Sequence, residues 1–185
     1  MGGYGINVDP LPEMIELTKI DRPRDINICA GVGARRGQMT LYRQGAFGSG
    51  LSTVVESNSA ALTEKIDIEI IPLKEICEEY IEPGQDIHFL KIDVEGFEKE
   101  VLLGADFSIY RPWVICIEST LPGTDIPCHE NWESIILEQD YILAGKLGVN
   151  RYYVSNEHEY LKERFLTRED LLTTYRIFHA ELLMY

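Results

Sequence analysis

The chain predicts an α/β fold built on a mostly parallel sheet with flanking helices, and three observations predict it. First, Ile87 to Ala105 (IHFLKIDVEGFEKEVLLGA) passes from a short apolar run through an acidic turn into a segment of helical spacing. Second, apolar runs of strand length alternate with such helical segments along the chain, the order expected of crossover units. Third, three of the runs end in a carboxylate, at Asp9, Asp93 and Glu118. Ligands of open α/β sheets sit outside the carboxyl ends of the strands, so these acids are candidates for a site.

Tyr4 to Asp9 reads as the first strand. Asp9-Pro10 reads as the start of a helix running to about Lys19, since Asp can cap and Pro suits the first helical position. Its apolar side would carry Leu11, Met14, Ile15 and Thr18. A strand follows in INICAGVG, then a hairpin-like pair, QMTLYR and STVVES, at 38–43 and 52–57. The intervening QGAFGSGL is not a phosphate-binding loop, because neither Lys-Ser/Thr nor a helix follows it; it reads as a loop over the site. Ile66 to Ile71 alternates as a strand, and Pro72 opens a short helix from Leu73 to Tyr80.

Ile87 to Ile92 has the composition of a strand buried on both faces. After it, Phe97, Val101, Leu102 and Ala105 share one helical face. Asp93 directly follows the strand and lies four residues before that helix, far for an ordinary cap, so it reads as facing a ligand. Glu95 fits either a cap or the site. Trp113 to Ile117 is a second buried strand, ending at Glu118. The loop at 121–130 leaves the same edge and holds His129, either a surface histidine or a general base. Asn131 would cap a helix over 132–140, and 141–146 with 150–154 form a terminal strand pair. Two helices close the chain, at 157–164 and 168–183. The second carries an apolar stripe of Leu171, Leu172, Tyr175, Phe178 and Leu182 that can dock on the domain or on a second copy in a homodimer.

The 185 residues suit a single domain, at 45% hydrophobic and 26% charged. A net charge of −14 argues against a nucleic-acid partner, which needs a basic face. The cysteines, at 29, 77, 116 and 128, have no CxxC spacing and read as reduced thiols, with Cys29 and Cys116 inside apolar runs. There is no signal-peptide order at the N-terminus and no apolar run of membrane-spanning length, which predicts a cytoplasmic protein without a membrane partner.

LKIDVEGFEKEVLLGA followed by RPWVICIE resembles the FkbM-type methyltransferases. The likeness extends upstream to GINVDPLPEM and to GxxLST at Gly48 to Thr53, and downstream to GVNRYYVSNEHEYLKERF, nearly the whole chain. It implies a Rossmann-like class I methyltransferase fold, S-adenosylmethionine as cofactor, and a hydroxyl on a sugar or a glycosylated or polyketide metabolite as acceptor. It implies Asp9 at the ribose hydroxyls and Asp93 on the cofactor, the nucleophile or a divalent metal. Glu95 and His129 are the further candidates for removing the hydroxyl proton, and Asn150, Arg151 and Tyr153 would lie near the site. Relatives begin with a strand and a glycine-rich turn at the cofactor, whereas this sequence opens Met1-Gly2-Gly3-Tyr4. The expectation is therefore an N-terminally truncated domain with weak or lost cofactor binding. It would have two exposed edges where a strand usually lies between those ending at Asp9 and Asp93, unless those strands close on each other or another chain fills the gap. A non-catalytic remnant acting by association is the rival reading.

Overall fold

The computed structural model describes residues 4–44, 52–53 and 62–165. The opening Met1-Gly2-Gly3, the glycine-rich loop beyond Gln44, the strand expected after Thr53 and the helix at 168–183 lie outside them. The order is β1 (Ile6–Asp9), α1 (Pro12–Asp21), β2 (Ile26–Cys29), β3 (Gly31–Gly33), β4 (Gly37–Gln44), β5 (Ser52–Thr53) and β6 (Leu62–Pro72). Then come α2 (Leu73–Tyr80), β7 (Ile87–Ile92), α3 (Glu98–Leu103), β8 (Pro112–Glu118), α4 (Glu133–Leu137), β9 (Tyr141–Leu147) and β10 (Asn150–Ser155). Short 3-10 turns occupy His129–Asn131 and Asn156–Arg164.

The fold is mixed α/β, but it is not the single, mostly parallel sheet expected. Strands β1 and β2 form a parallel pair of their own, β7-β8-β10-β9 form one four-stranded sheet, and β3-β6-β4-β5 form another. Among the described residues, β1–β2, β3–β6 and β7–β8 are the parallel pairs. The β8–β10–β9 and β6–β4–β5 pairings are antiparallel, as the two-residue β9–β10 connection requires of that pair. The larger departure has one cause: β1 and β7 are each the end strand of a sheet, and no described strand joins them.

Strand β8 runs through the middle of the core. Ile115 and Ile117 are fully buried, with Ile92 from β7, Val101 and Leu102 from α3, Phe107, Trp132, Ile136, Tyr141 and Tyr153 around them. Each such aliphatic side chain contributes about 1.5–3 kcal/mol on burial. A second cluster, Leu41, Ile68 and Ile70, uses the alternation read in IDIEII. Opposite it, Asp67 and Glu69 bond to Thr40 and Arg36 on the outer face.

Several expectations are corrected. Strand β7 is not buried on both faces: Ile92 is in the core, while His88, Phe89 and Lys91 are exposed, Phe89 at 55%. Helix α1 begins at Pro12 rather than Pro10, and of its expected apolar side Ile15 alone is buried. Cys29 is exposed, while Cys77, Cys116 and Cys128 are buried. Asn131 belongs to a 3-10 turn and does not cap α4, whose preceding residue is Trp132.

Gly104, just past α3, sets how closely that helix approaches β3. A Cβ there would stand 2.1 Å from the Gly33 carbonyl oxygen, a backbone atom that cannot rotate away. Gly104→Ala should therefore lower stability by about 1–3 kcal/mol through overpacking. An unchanged urea midpoint would show that α3 does not rest on β3 in this way.

Candidate functional site

Strand β7 stops at Ile92 because the chain reverses in the next four residues. Glu95 has φ +51° and Gly96 has φ +96°, two left-handed positions in succession. Gly96 suits its angle, whereas a left-handed Glu carries strain on the order of 1 kcal/mol. Phe97 then leads into α3 without a side-chain cap. The Gly96 N–H donates to Glu98 Oε1 at 3.0 Å, and Glu98 is 2% exposed. The glutamate that ties down the turn is thus Glu98, and Glu95 is left to face Asp93.

The β7–β8 register pairs Ile92 with Ile117, so the next residues on the two strands, Asp93 and Glu118, emerge side by side. Oxygens of Asp93, Glu95 and Glu118 all lie within 4.8 Å of one another. Glu118 Oε2 is buried without a hydrogen-bond partner among the described residues. Burial, then the charges of Asp93 and Glu95, push the Glu118 carboxyl up to about 7. Asp93, the residue beside it across the strand register, is thus a cause of the rise second only to burial. Glu95 is also raised, first by burial, then by Asp93 and Glu98. On the open side Lys91 Nζ lies 3.1 Å from Asp93 Oδ2 and also donates to Asn150 Oδ1 on β10.

These are hard oxygen donors of the kind magnesium or calcium takes. Part of their charge is already met by Lys91, and the Glu118 carboxyl is raised, so the fit to a resident ion is poor. The raised Glu118 carboxyl has a consequence for stability. The folded carboxyl of Glu118 titrates near 7 against an ordinary 4.5, so the fold binds more protons than the unfolded chain between these values. Stability accordingly falls as pH rises through that window, and the loss is complete above it. Glu118→Gln should flatten the slope and, solvent screening allowed for, raise stability at pH 8 by on the order of 1 kcal/mol. Equal pH slopes in variant and parent chain would show that Glu118 does not carry a raised carboxyl.

Asp9 ends β1, and its Oδ1 accepts from the Leu11 N–H at 2.8 Å. It thus closes the turn before α1, two residues ahead of the helix. Burial raises its carboxyl, the Leu11 bond lowers it less, and Glu13 adds to the rise. Asp9 and Asp93 both lie on the wall of one cleft of about 830 Å³ between β1 and β7.

His129 stands apart from the acidic turn in its bonding. Its Nε2 is 2.6 Å from Arg151 Nη2. A guanidinium only donates, so Nε2 accepts and the ring proton sits on Nδ1. Arg151 Nη1 also donates to Glu133 Oε1 at 3.0 Å, and the Tyr153 hydroxyl donates to the same oxygen at 2.7 Å. Of the tail residues, Asn150 touches the acidic turn through Lys91, while Arg151 and Tyr153 brace His129 and Glu133. Sequence reasoning placed Glu118 at a strand end and did not reach its raised carboxyl, which depends on the strand register. It missed Lys91 and Glu98 as well; a lysine two residues before the strand-end acid was the available signal.

Comparison with curated proteins and with solved structures gives no match. Residues 1–143, most of the chain, match the methyltransferase FkbM domain. The matched span takes in Asp9, Asp93, Glu95, Glu118 and His129 and stops before β10. With that span carrying the strand-end acids of the site, the chain belongs to the FkbM methyltransferase family.

Proposed function

We propose that this chain is an O-methyltransferase domain that takes S-adenosylmethionine between Asp9 and Asp93. Its acceptor is a hydroxyl of a sugar or of a glycosylated or polyketide metabolite, and it works in the cytoplasm. The family match carries this reading, together with the placement of both acids on one cleft wall. The cofactor, when bound, supplies an electrophilic methyl carbon. Asp9, with one oxygen engaged by Leu11, offers the other to the ribose hydroxyls. Asp93, held by Lys91, orients the cofactor's amino group or the acceptor hydroxyl, as in-line displacement demands. Glu118 takes the hydroxyl proton, because a carboxyl near 7 is matched to a base at neutral pH; Glu95 stands beside it as the second acceptor. His129, whose Nε2 lone pair is committed to Arg151, positions its loop rather than serving as the base.

Calorimetric titration of the chain with S-adenosylmethionine and S-adenosylhomocysteine tests the reading. Binding in the micromolar range, about −8 kcal/mol, is the expected result. Absence of heat at millimolar ligand would sink it. A second reading, an association module without catalysis, is favoured by the open cleft between β1 and β7. A sizing column showing a clean monomer would count against self-association.

A further inference from the structure

Glu98 opens α3 and shares a helical face with Val101 and Leu102, three and four residues on, both of them core residues. That face buries it: Glu98 is 2% exposed, and no cation among the described residues pairs with it. A fully buried glutamate is rare without a partner, because the interior disfavours its charge. The neighbours make the placement costlier. Burial, then the charge of Glu98, raises the Cys128 thiol. The same charge is a lesser cause, after burial and Asp93, of the rise at Glu95 and at Glu118. Acids therefore face Glu98 from the turn and from the end of β8.

What Glu98 holds is the turn. Its Oε1 accepts from the Gly96 N–H at 3.0 Å. The bond that closes the turn itself, from the Phe97 N–H to the Val94 carbonyl, is longer, at 3.3 Å, and lies outside the usual range for such bonds. Between its ends Glu95 and Gly96 take φ +51° and +96°. Two positive angles in succession suit Asn, Asp or Gly, and a glutamate at the first of them is strained. On its Cα side, Gly96 meets the loop that leaves β8: a Cβ there would lie 3.4 Å from Pro122 Cγ. The turn is thus fixed by Glu98 at one N–H and by Pro122 at the neighbouring Cα. A carboxylate acceptor makes a bond about twice as strong as a neutral one, which is what a strained segment needs.

We propose that Glu98 is the positioning residue of the acidic turn. Its bond to the Gly96 N–H keeps Glu95 in the left-handed conformation that sets its carboxylate beside those of Asp93 and Glu118. The strain at Glu95 is held for the site, since a glycine there would turn the chain more easily and bring no carboxylate. The consequence for catalysis rests on the reading of these acids as the place of methyl transfer; the hold on the turn does not.

The test is a set of variants of the full chain, each followed by urea unfolding and by methyl-transfer kinetics. Glu95→Gly in the parent background should raise the folding constant by about fivefold, through release of strain. Combined with Glu98→Ala, the same substitution should gain less than about twofold, because the turn has already relaxed. Combined with Glu98→Gln, which keeps an acceptor and drops the charge, the gain should be intermediate. In the kinetics, Glu98→Ala should lower kcat by at least ~10-fold with the Kd for S-adenosylmethionine within about twofold of the parent. Glu98→Gln should restore part of that loss, and it carries the comparison where Glu98→Ala does not fold. An equal gain from Glu95→Gly in all backgrounds would overturn the proposal, since Glu98 would then not hold the turn. So would a parental kcat in Glu98→Ala, since the site would then not need the hold. A parent chain that transfers no methyl group would fail the site reading alone, and the stability comparison would still decide the hold.

Discussion

Asp93→Asn should lower kcat/KM for methyl transfer by about 10²–10⁴, the range for losing a group that aligns or deprotonates a reactant. The fold should barely notice. The Asp93 side chain is 48% exposed, and exposed substitutions of this kind usually stay within about 0.5 kcal/mol. The split between parameters decides the role. A rise in the dissociation constant for S-adenosylmethionine with kcat preserved places Asp93 on the cofactor; a fall in kcat alone places it on the acceptor hydroxyl. The pH profile adds an independent readout. In the parent chain the limb that reports the base should rise through about pH 7, where Glu118 titrates. Asp93 is one cause of that raised value, so its neutral replacement should move the limb to lower pH. Transfer at the parent rate with an unmoved limb would exclude Asp93 from the mechanism and separate Glu118 from it electrostatically.

How much of this was legible in the sequence follows from the distance over which each feature is decided. The bounds of β7 and α2 were readable residue for residue, because an apolar run and a proline mark them locally. The β9–β10 pair, joined around Gly148 at φ +57°, was readable to within one residue at the end of each strand. The start of α1 was misplaced because Pro10 and Pro12 both satisfy the rule for a first helical residue. Only the Asp9–Leu11 bond shows that the turn comes first. The burial of β7 was misjudged for a different reason. Composition says that a strand is apolar, not whether another strand or layer covers it, and here β7 ends a sheet beside a cleft. The site divides in the same way. Asp93 and Glu118 could each be found as the acid ending an apolar run, but the raised carboxyl of Glu118 depends on the Ile92–Ile117 register that sets Asp93 beside it, which is set by packing. His129 had no local sign of its partner, since Arg151 reaches it from 22 residues away.

Arg151→Ala should be the costlier change for stability, by about 2–4 kcal/mol, although Arg151 is outside the acidic turn. Its side chain is 14% exposed and that of Glu133 is 22% exposed, so the pair is largely withdrawn from water. The guanidinium meets Glu133 Oε1 and His129 Nε2 together. Without it the carboxylate keeps, among the described residues, the Tyr153 hydroxyl as its hydrogen-bond donor, and the imidazole lone pair loses the guanidinium. Stripping one partner from a buried pair costs about 3–5 kcal/mol, and the partial exposure here brings the figure down. Tyr153→Phe removes one bond to the same oxygen and should cost about 1 kcal/mol. A double-mutant cycle between the two should be non-additive by more than about 0.5 kcal/mol, since both act on one carboxylate. The effect should also reach the chemistry indirectly. His129 follows the 121–128 loop that leaves β8 just beyond Glu118, and its bond to Arg151 fixes the end of that loop on β10. Arg151→Ala should therefore raise the KM for the acceptor more than the dissociation constant of the cofactor, whose acids lie at the end of β1 and just past β7. A variant within 0.5 kcal/mol of the parent, with acceptor binding unchanged, would show that Arg151 does not brace the loop.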